Sequence, residues 1–366
     1  MKVYIGIDAH TTNYTLSSFT VEKREPFAVG TYSPDYMNIV KYVEDLKKRY
    51  GEDLEVLTGY EAGCLGFSLY HDLESEGINC VVMAPSTMPD RNRKRKRKTD
   101  KRDAMSISRD LAFNDYSAVH VPDKHDAEVK AYIRMRDDHK IALKRIKQQI
   151  IAYCHLNGWK FEGKTYWSLT HLSWLKRIEM TDMQREIMDE YLMTFDELKE
   201  RVKRMDARIE EISNEERYHD KVKRLICLKG IKTTTALALV SEISDFDRFS
   251  TADNFSSFLG LVPGENSSSD DINRLGITKT GNTHLRRLLV EAAQCYCRTT
   301  AGKSREIRSR QSGNLPEVIR YADKSNERLR KKFIHIALKS NRNIAATAVA
   351  RELSCFVWGM MTDNIS

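Results

Sequence analysis

The chain has 366 residues, 41% of them hydrophobic, and its 60 lysines and arginines outnumber its 52 acids to leave a net charge of +8. That is more chain than one ordinary core holds, so two or three domains are expected, and the positive surplus favours an acidic partner, most commonly nucleic acid. Seven scattered cysteines (Cys64, Cys80, Cys154, Cys227, Cys295, Cys297 and Cys355) form no CxxC pair, which argues against a zinc site and for reduced thiols in a cytoplasmic protein, and the absence of a long apolar run argues against a membrane partner.

The first region, residues 1–116, opens on Val3, Ile5 and Ile7, the alternation of a short buried strand that stops at a carboxylate, Asp8. Tyr14 to Val21 and Pro26 to Tyr32 read as two further strands, completing an antiparallel meander. Ser33 is the expected cap of a helix in which Ile39, Val43, Leu46 and Tyr50 recur at helical spacing. Leu54 to Thr58 is a fourth strand leading into Glu61; a helix over 65–75 and the strand Cys80 to Ala84 follow. Crossover rules set the first and fourth strands side by side in a mixed sheet. Asp8 and Glu61 then share the edge beyond the carboxyl ends of the strands, where ligands gather.

From Arg91 to Arg102 the chain reads RNRKRKRKTDKR, nine basic residues against one acid. Arg91, Arg93, Lys94, Arg95, Lys96, Arg97, Lys98, Lys101 and Arg102 are therefore candidate phosphate contacts. A helix opening at Thr99 sets Asp100 and Asp103 on one face. Convergence of Asp8, Glu61, Asp100 and Asp103 requires a hard divalent cation, magnesium or, as its substitute, manganese. Two such ions about 4 Å apart activate a nucleophile and stabilise a leaving oxygen at a phosphodiester. His10 reads either as a contact to that metal or, as a lone histidine beside a strand end more often is, as a plain polar neighbour.

Residues 117–220 are expected to be a helical coiled-coil region. Ala127 to Leu156 reads as one long helix; Trp159, Trp167 and Trp174 punctuate a less regular stretch that packs between helices. A second long helix over 181–215 carries Leu198, Val202, Met205, Ile209 and Ile212 in a heptad-like seam.

Residues 221–366 begin with an apolar hairpin, Leu225 to Ile243, turning at Lys229-Gly230-Ile231. It fits either a phosphate-approaching helix-hairpin-helix or a plain hairpin of the core. A Pro-Gly turn and three serines, Ser267, Ser268 and Ser269, then place hydroxyls in a loop, with Lys279, Arg286 and Arg287 as candidate phosphate contacts. Residues 336–358 read as a closing apolar helix.

Two distant motif sets point to one family. GID at 6–8, YEA at 60–62 and TDKRDA at 99–104 resemble the DEDD form of the RuvC-like, ribonuclease-H-type fold found in insertion-sequence transposases of the insertion sequence 110 class. GLVPGENSS at 260–268 followed by GITKTGNTHLRRLLVEAA at 276–293 is similar to the serine-containing C-terminal domain of that same family. The resemblance implies an α/β RuvC-like mixed sheet joined through a helical middle to an all-α C-terminal domain, with the acidic tetrad on Asp8, Glu61, Asp100 and Asp103. It places the nucleophilic serine on Ser268; the family commonly has glycine next, whereas this chain has Ser269, so Ser267 and Ser269 stay open as substitutes. It further implies a DNA transposase that excises and inserts a mobile element by strand exchange on double-stranded DNA through a phosphoserine link. A homo-oligomer, dimer or tetramer, and a noncoding bridge RNA as guide are implied as well. Two other readings compete: a metal-dependent RuvC-like nuclease or Holliday-junction resolvase that uses the acids alone, and a nucleic-acid-binding regulator without catalysis.

Overall fold

Strands β1 (Lys2–Ala9), β2 (Tyr14–Phe19), β3 (Phe27–Tyr32), β4 (Glu55–Glu61) and β5 (Cys80–Met83) form one sheet in the order β3-β2-β1-β4-β5. β1, β2 and β3 pair antiparallel; β1 pairs with β4, and β4 with β5, in parallel. The structure, a computed structural model, describes residues 1–63, 65–85, 88, 99–265, 274–297 and 302–365. They divide into two units, 1–121 and 122–366.

In the first unit the alternation of each strand decides what covers each face. Val3, Ile5, Ile7, Tyr60 and Val82 pack beneath α1 (Tyr36–Tyr50) and α2 (Ser68–Ser75), against Ile39, Val43, Leu46, Leu69 and Leu73. The other face receives α3 (Asp100–Phe113), whose Ile107 and Leu111 bury Met83 and pack on Tyr4, Leu57 and Val81. One expected cap moves: Asp35 caps α1 through Met37 N at 2.9 Å, while the Ser33 hydroxyl is taken by Asn38 Nδ2, also at 2.9 Å.

The second unit is helical: α4 (Lys124–Leu156), α5 (Leu169–Arg177), α6 (Asp182–Ser213), α7 (Glu216–Leu225), α8 (Thr233–Ile243) and α9 (Ala252–Phe258) precede a hairpin of β6 (Pro263–Glu265) and β7 (Arg274–Ile277). α10 (Thr283–Ala293), α11 (Arg305–Gln311), α12 (Pro316–Lys339) and α13 (Arg342–Met361) follow. The far halves of α4 and α6 enclose a core of their own, Ile146, Ile150, Leu175, Met188, Leu192 and Phe195, and Trp159, Trp167 and Trp174 pack on it, as expected. Their near halves behave differently: Val129, Ile133, Ile209 and Ile212 join the core of the C-terminal helices. The helical middle therefore belongs to the second unit. The closing apolar helix expected over 336–358 is divided between the end of α12 and α13, and α13 is long and apolar enough to cross a bilayer, although no run of that length was expected. Ala345, Val349, Leu353, Val357 and Met360 on it are wholly buried in the C-terminal core, the position of a core helix.

Candidate active site

The register of β1 and β4 runs from Lys2 opposite Glu55 to Ile7 opposite Tyr60. Carried one residue further, the same offset sets Asp8 beside Glu61. Because side chains alternate, Gly6 and Asp8 on β1 and Gly59 and Glu61 on β4 share the face that α3 covers. A Cβ on Gly6 would lie 2.3 Å from both Ala104 O and Ser108 N, and one on Gly59 would lie 2.8 Å from Leu111 Cδ1. The backbone of α3 thus rests directly on the sheet at Gly6, and its first turn, with Asp100 and Asp103, arrives at the end of β1.

There the carboxylates of Asp8 and Asp100 and the ring of His10 each offer a ligand atom, all within 4.8 Å of one another. Burial raises the Asp8 carboxyl above the usual carboxylate range; His10 pulls it down, and the charges of Asp103 and Asp100 push it up. Asp8 Oδ2 is buried and accepts no hydrogen bond among the described residues, although it faces His10 Nε2 at 3.3 Å. A buried carboxylate oxygen without a donor, next to further carboxylates, suits a hard divalent cation. Sequence reasoning favoured a polar neighbour over a metal contact for His10, and the structure puts its ring in the group with Asp8 and Asp100. Its signal was its position two residues beyond the strand-terminal acid. The first-turn position of Asp100 and Asp103 also favours the helix start through the macrodipole.

Of the basic run, Lys101 and Arg102 are exposed on the first turn of α3. Arg91, Arg93, Lys94, Arg95, Lys96, Arg97 and Lys98 lie outside the described residues, as do Ser267, Ser268 and Ser269.

What the structure describes of the serine loop is its stem. Two turns cross in backbone contact: a Cβ on Gly260 (φ +66°) would lie 2.0 Å from Thr280 O, and one on Gly281 (φ +74°) 2.0 Å from Phe258 O. Only glycine fits either place. Arg286 donates to Leu259 O and Thr280 O, each at 2.8 Å, and ties the crossing together. Arg287 pairs with Asp137 and, at 3.0 Å, with Glu291. Both guanidiniums expected on phosphate are thus engaged within the protein, because each has backbone carbonyls or carboxylates within reach that the sequence did not reveal. Lys279 is exposed in a left-handed turn (φ 58°) and remains the outward cation of the three.

Beneath the stem lies an ionic network. His284 stands between Glu242 Oε1 at 2.5 Å and Asp137 Oδ2 at 3.0 Å. Arg134 forks onto Glu242 at 2.8 and 3.1 Å; Arg136 bridges Asp137 at 2.9 Å and Asp206 at 2.7 Å; Asn282 Nδ2 donates to Glu242 at 2.7 Å. Burial works against the charge of Glu242, but His284 and Arg134 outweigh it and bring the carboxyl to about 2. Asp137 is likewise held well below the usual range, by His284, Arg136 and Arg287 against burial. Burial lowers His284, but the two carboxylates win and raise it. The network fastens the start of α10, and with it the C-terminal side of the stem, to α4 and α8. Sequence reasoning missed it; the signal was Glu242, a lone acid in the apolar helix TTTALALVSEI.

At the hairpin turn, for which a phosphate-approaching motif and a plain core hairpin were both open, packing alone accounts for the glycine. Gly230 (φ +91°) has no room for a Cβ, which would meet Ala292 O at 2.3 Å, and Lys229 N donates to Asn326 Oδ1 at 2.8 Å.

Residues 5–158 match a profile described as transposase, of the DEDD IS110 type, and residues 222–308 match the transposase IS116/IS110/IS902 family. The chain is 30% identical over 361 residues to the transposase for insertion sequence element IS1533 of Leptospira borgpetersenii, across 93% of this chain and 98% of the relative. It is 31% identical over 308 residues to y4qE of Sinorhizobium fredii, named as a transposase, across 82% of this chain and 74% of the relative. A shorter match, 29% over 160 residues, covers 43% of this chain and 41% of the transposase for IS1328 of Yersinia enterocolitica.

Proposed function

The chain belongs to the IS116/IS110/IS902 family and is a DNA transposase, and from that premise we propose that it moves an element by strand exchange, with Ser268 as nucleophile and the Asp8 cluster as its metal centre. The observation that carries the reading is the meeting of Asp8, His10 and Asp100 at the end of β1, with the charge of Asp103 beside them. Asp8, Asp100, Asp103 and Glu61 would hold magnesium, for which manganese substitutes. When bound, the cation supplies Lewis acidity at a phosphate oxygen.

The remaining steps fall to the chain's own groups. Ser268 Oγ loses its proton and bonds to phosphorus; the bond from phosphorus to the leaving deoxyribose oxygen breaks, and that oxygen takes up a proton. Attack on the phosphoserine by a deoxyribose hydroxyl of another strand rejoins DNA and frees the serine. Lys279, exposed on the stem of the loop, is a cation for the phosphate. Strand exchange holds two cuts together, so the active species is a dimer or tetramer, and a noncoding bridge RNA serves as guide.

The test is a covalent adduct. Wild-type protein incubated with element-end DNA and Mg2+ is expected to give a protein–DNA species that survives denaturation, lost in Ser268→Ala and in Asp8→Asn. An active Ser268→Ala variant would remove Ser268 from the role, and the same assay on Ser267→Ala and Ser269→Ala would find the substitute. RNA copurified with the protein, sequenced against the element's noncoding ends, tests the guide.

A second reading has one observation in its favour. Arg286 and Arg287 are engaged within the protein, whereas the acidic cluster of the first unit is assembled. A metal-dependent RuvC-like nuclease or junction resolvase would need only the latter. It predicts cleavage by Ser268→Ala with no adduct at any stage.

A further inference from the structure

We propose that the outer face of α12 is a second contact surface for double-helical DNA, distinct from the basic run at 91–102; the proposal rests on the transposase reading and deepens it. Arg320, Lys324, Arg328, Lys331, His335 and Lys339 recur three or four residues apart, which on a helix makes a single stripe, and all six are exposed. At 1.5 Å per residue the stripe runs about 28 Å, close to the ~34 Å repeat of B-form DNA. The opposite face of α12 is fixed: Val318, Ala322, Ser325, Leu329 and Phe333 are buried. A rigid row of cations of that length matches a phosphate backbone.

Charge distribution separates this face from an ordinary solvated helix. Residues 303–342 hold twelve lysines and arginines against four acids, and residues 91–102 hold nine against one. The rest of the chain has 39 basic residues against 47 acidic ones. All the positive surplus thus sits in two segments, one in each unit. The exposed face of α6, by contrast, is neutralised along its length by pairs such as Arg185–Asp189, Lys203–Glu200 and Arg208–Glu211. On α12, Lys331 pairs with Glu327 and Arg328 with Glu352, but Arg320, Lys324 and Lys339 have no acidic partner among the described residues. Three unneutralised cations on one face attract a polyanion, and the substrate of a DNA transposase is one.

Fluorescence anisotropy of the full chain on a DNA duplex of arbitrary sequence, about three helical turns long, across a salt series tests the proposal. The variant Arg320→Gln/Lys324→Gln/Lys339→Gln is expected to bind at least ~10-fold more weakly at low salt and to lower the slope of log K against log salt by about 2 to 3. Its melting temperature should match wild type, since all three side chains are exposed. Single variants, each expected to lower the slope by about 1, serve if the triple variant folds poorly. An unchanged slope overturns the proposal, as does a loss seen only with an RNA duplex of the same sequence. Failure here is separable from failure of the catalytic reading: the first leaves adduct formation intact, and the second leaves the salt slope intact, as Asp8→Asn should.

Discussion

Gly6 sets the distance between the sheet and the helix that brings Asp100 and Asp103. A methyl there would enter the space of Ala104 O and Ser108 N, and because both are backbone atoms, the helix itself must move. Gly6→Ala is expected to cost about 1–3 kcal/mol of stability as an overpacked contact. It should also weaken Mn2+ binding by ~10-fold or more, since a shifted second shell costs metal sites that much; calorimetric titration and thermal melting check both. Asp8→Asn should do the opposite to stability. It removes one charge from a crowd of carboxylates, so without metal its melting temperature should exceed wild type, while the rise that Mg2+ gives wild type disappears. The strand-end positions of Asp8 and Glu61 and the helix-start positions of Asp100 and Asp103 were legible from alternation and spacing. The reason for Gly6 was not, since it depends on which helix returns over the sheet, and neither was the place of His10, which the turn after β1 decides.

Among the elements, α10 is held in place through buried charge at His284. Asp137 and Glu242 have depressed pKa values, so the stability they give is complete above about pH 4.3, the ordinary carboxylate value, and is lost as pH falls, for Glu242 through about 2. His284 is raised, so its contribution is complete below about pH 6.5 and is lost as pH climbs through its elevated folded value. The melting temperature of the second unit should therefore plateau between about pH 4.5 and 6.5 and decline on either side. In His284→Gln the alkaline decline should vanish while the acid one persists, because the two carboxylates keep their arginines. A melting series across pH with the two proteins side by side decides it. Helix boundaries were largely readable from apolar spacing, as α4 and α6 show, since burial of one stripe leaves a period in the sequence. The partners of Arg286 and Arg287 were not: Asp137 is 150 positions from Arg287 and no local pattern joins them.

At the scale of the whole molecule, the acids and the serine loop belong to separate units. If the proposed dimer or tetramer builds its sites across subunits, mixing Asp8→Asn chains with Ser268→Ala chains should restore adduct formation that neither gives alone; denaturing gels on mixtures co-refolded or co-expressed read this out, and no recovery would place each site within one chain. The two-unit division was only half visible in the sequence. A sheet pattern gives way to helices near residue 120, which the reading placed at 116, but the attachment of Val129, Ile133, Ile209 and Ile212 to the C-terminal core left no mark in composition.

The stripe on α12 has a price in solution when no nucleic acid is present. Cations concentrated here and at 91–102, on a chain whose remaining residues are acidic on balance, offer each molecule a complementary partner in the next, so at low ionic strength the purified protein should cloud and sediment. Salt should clear the suspension by screening, and substoichiometric duplex should clear it as well by occupying the cations. Turbidity of wild type against the Arg320→Gln/Lys324→Gln/Lys339→Gln variant would show whether the DNA that this protein cuts also keeps it dispersed.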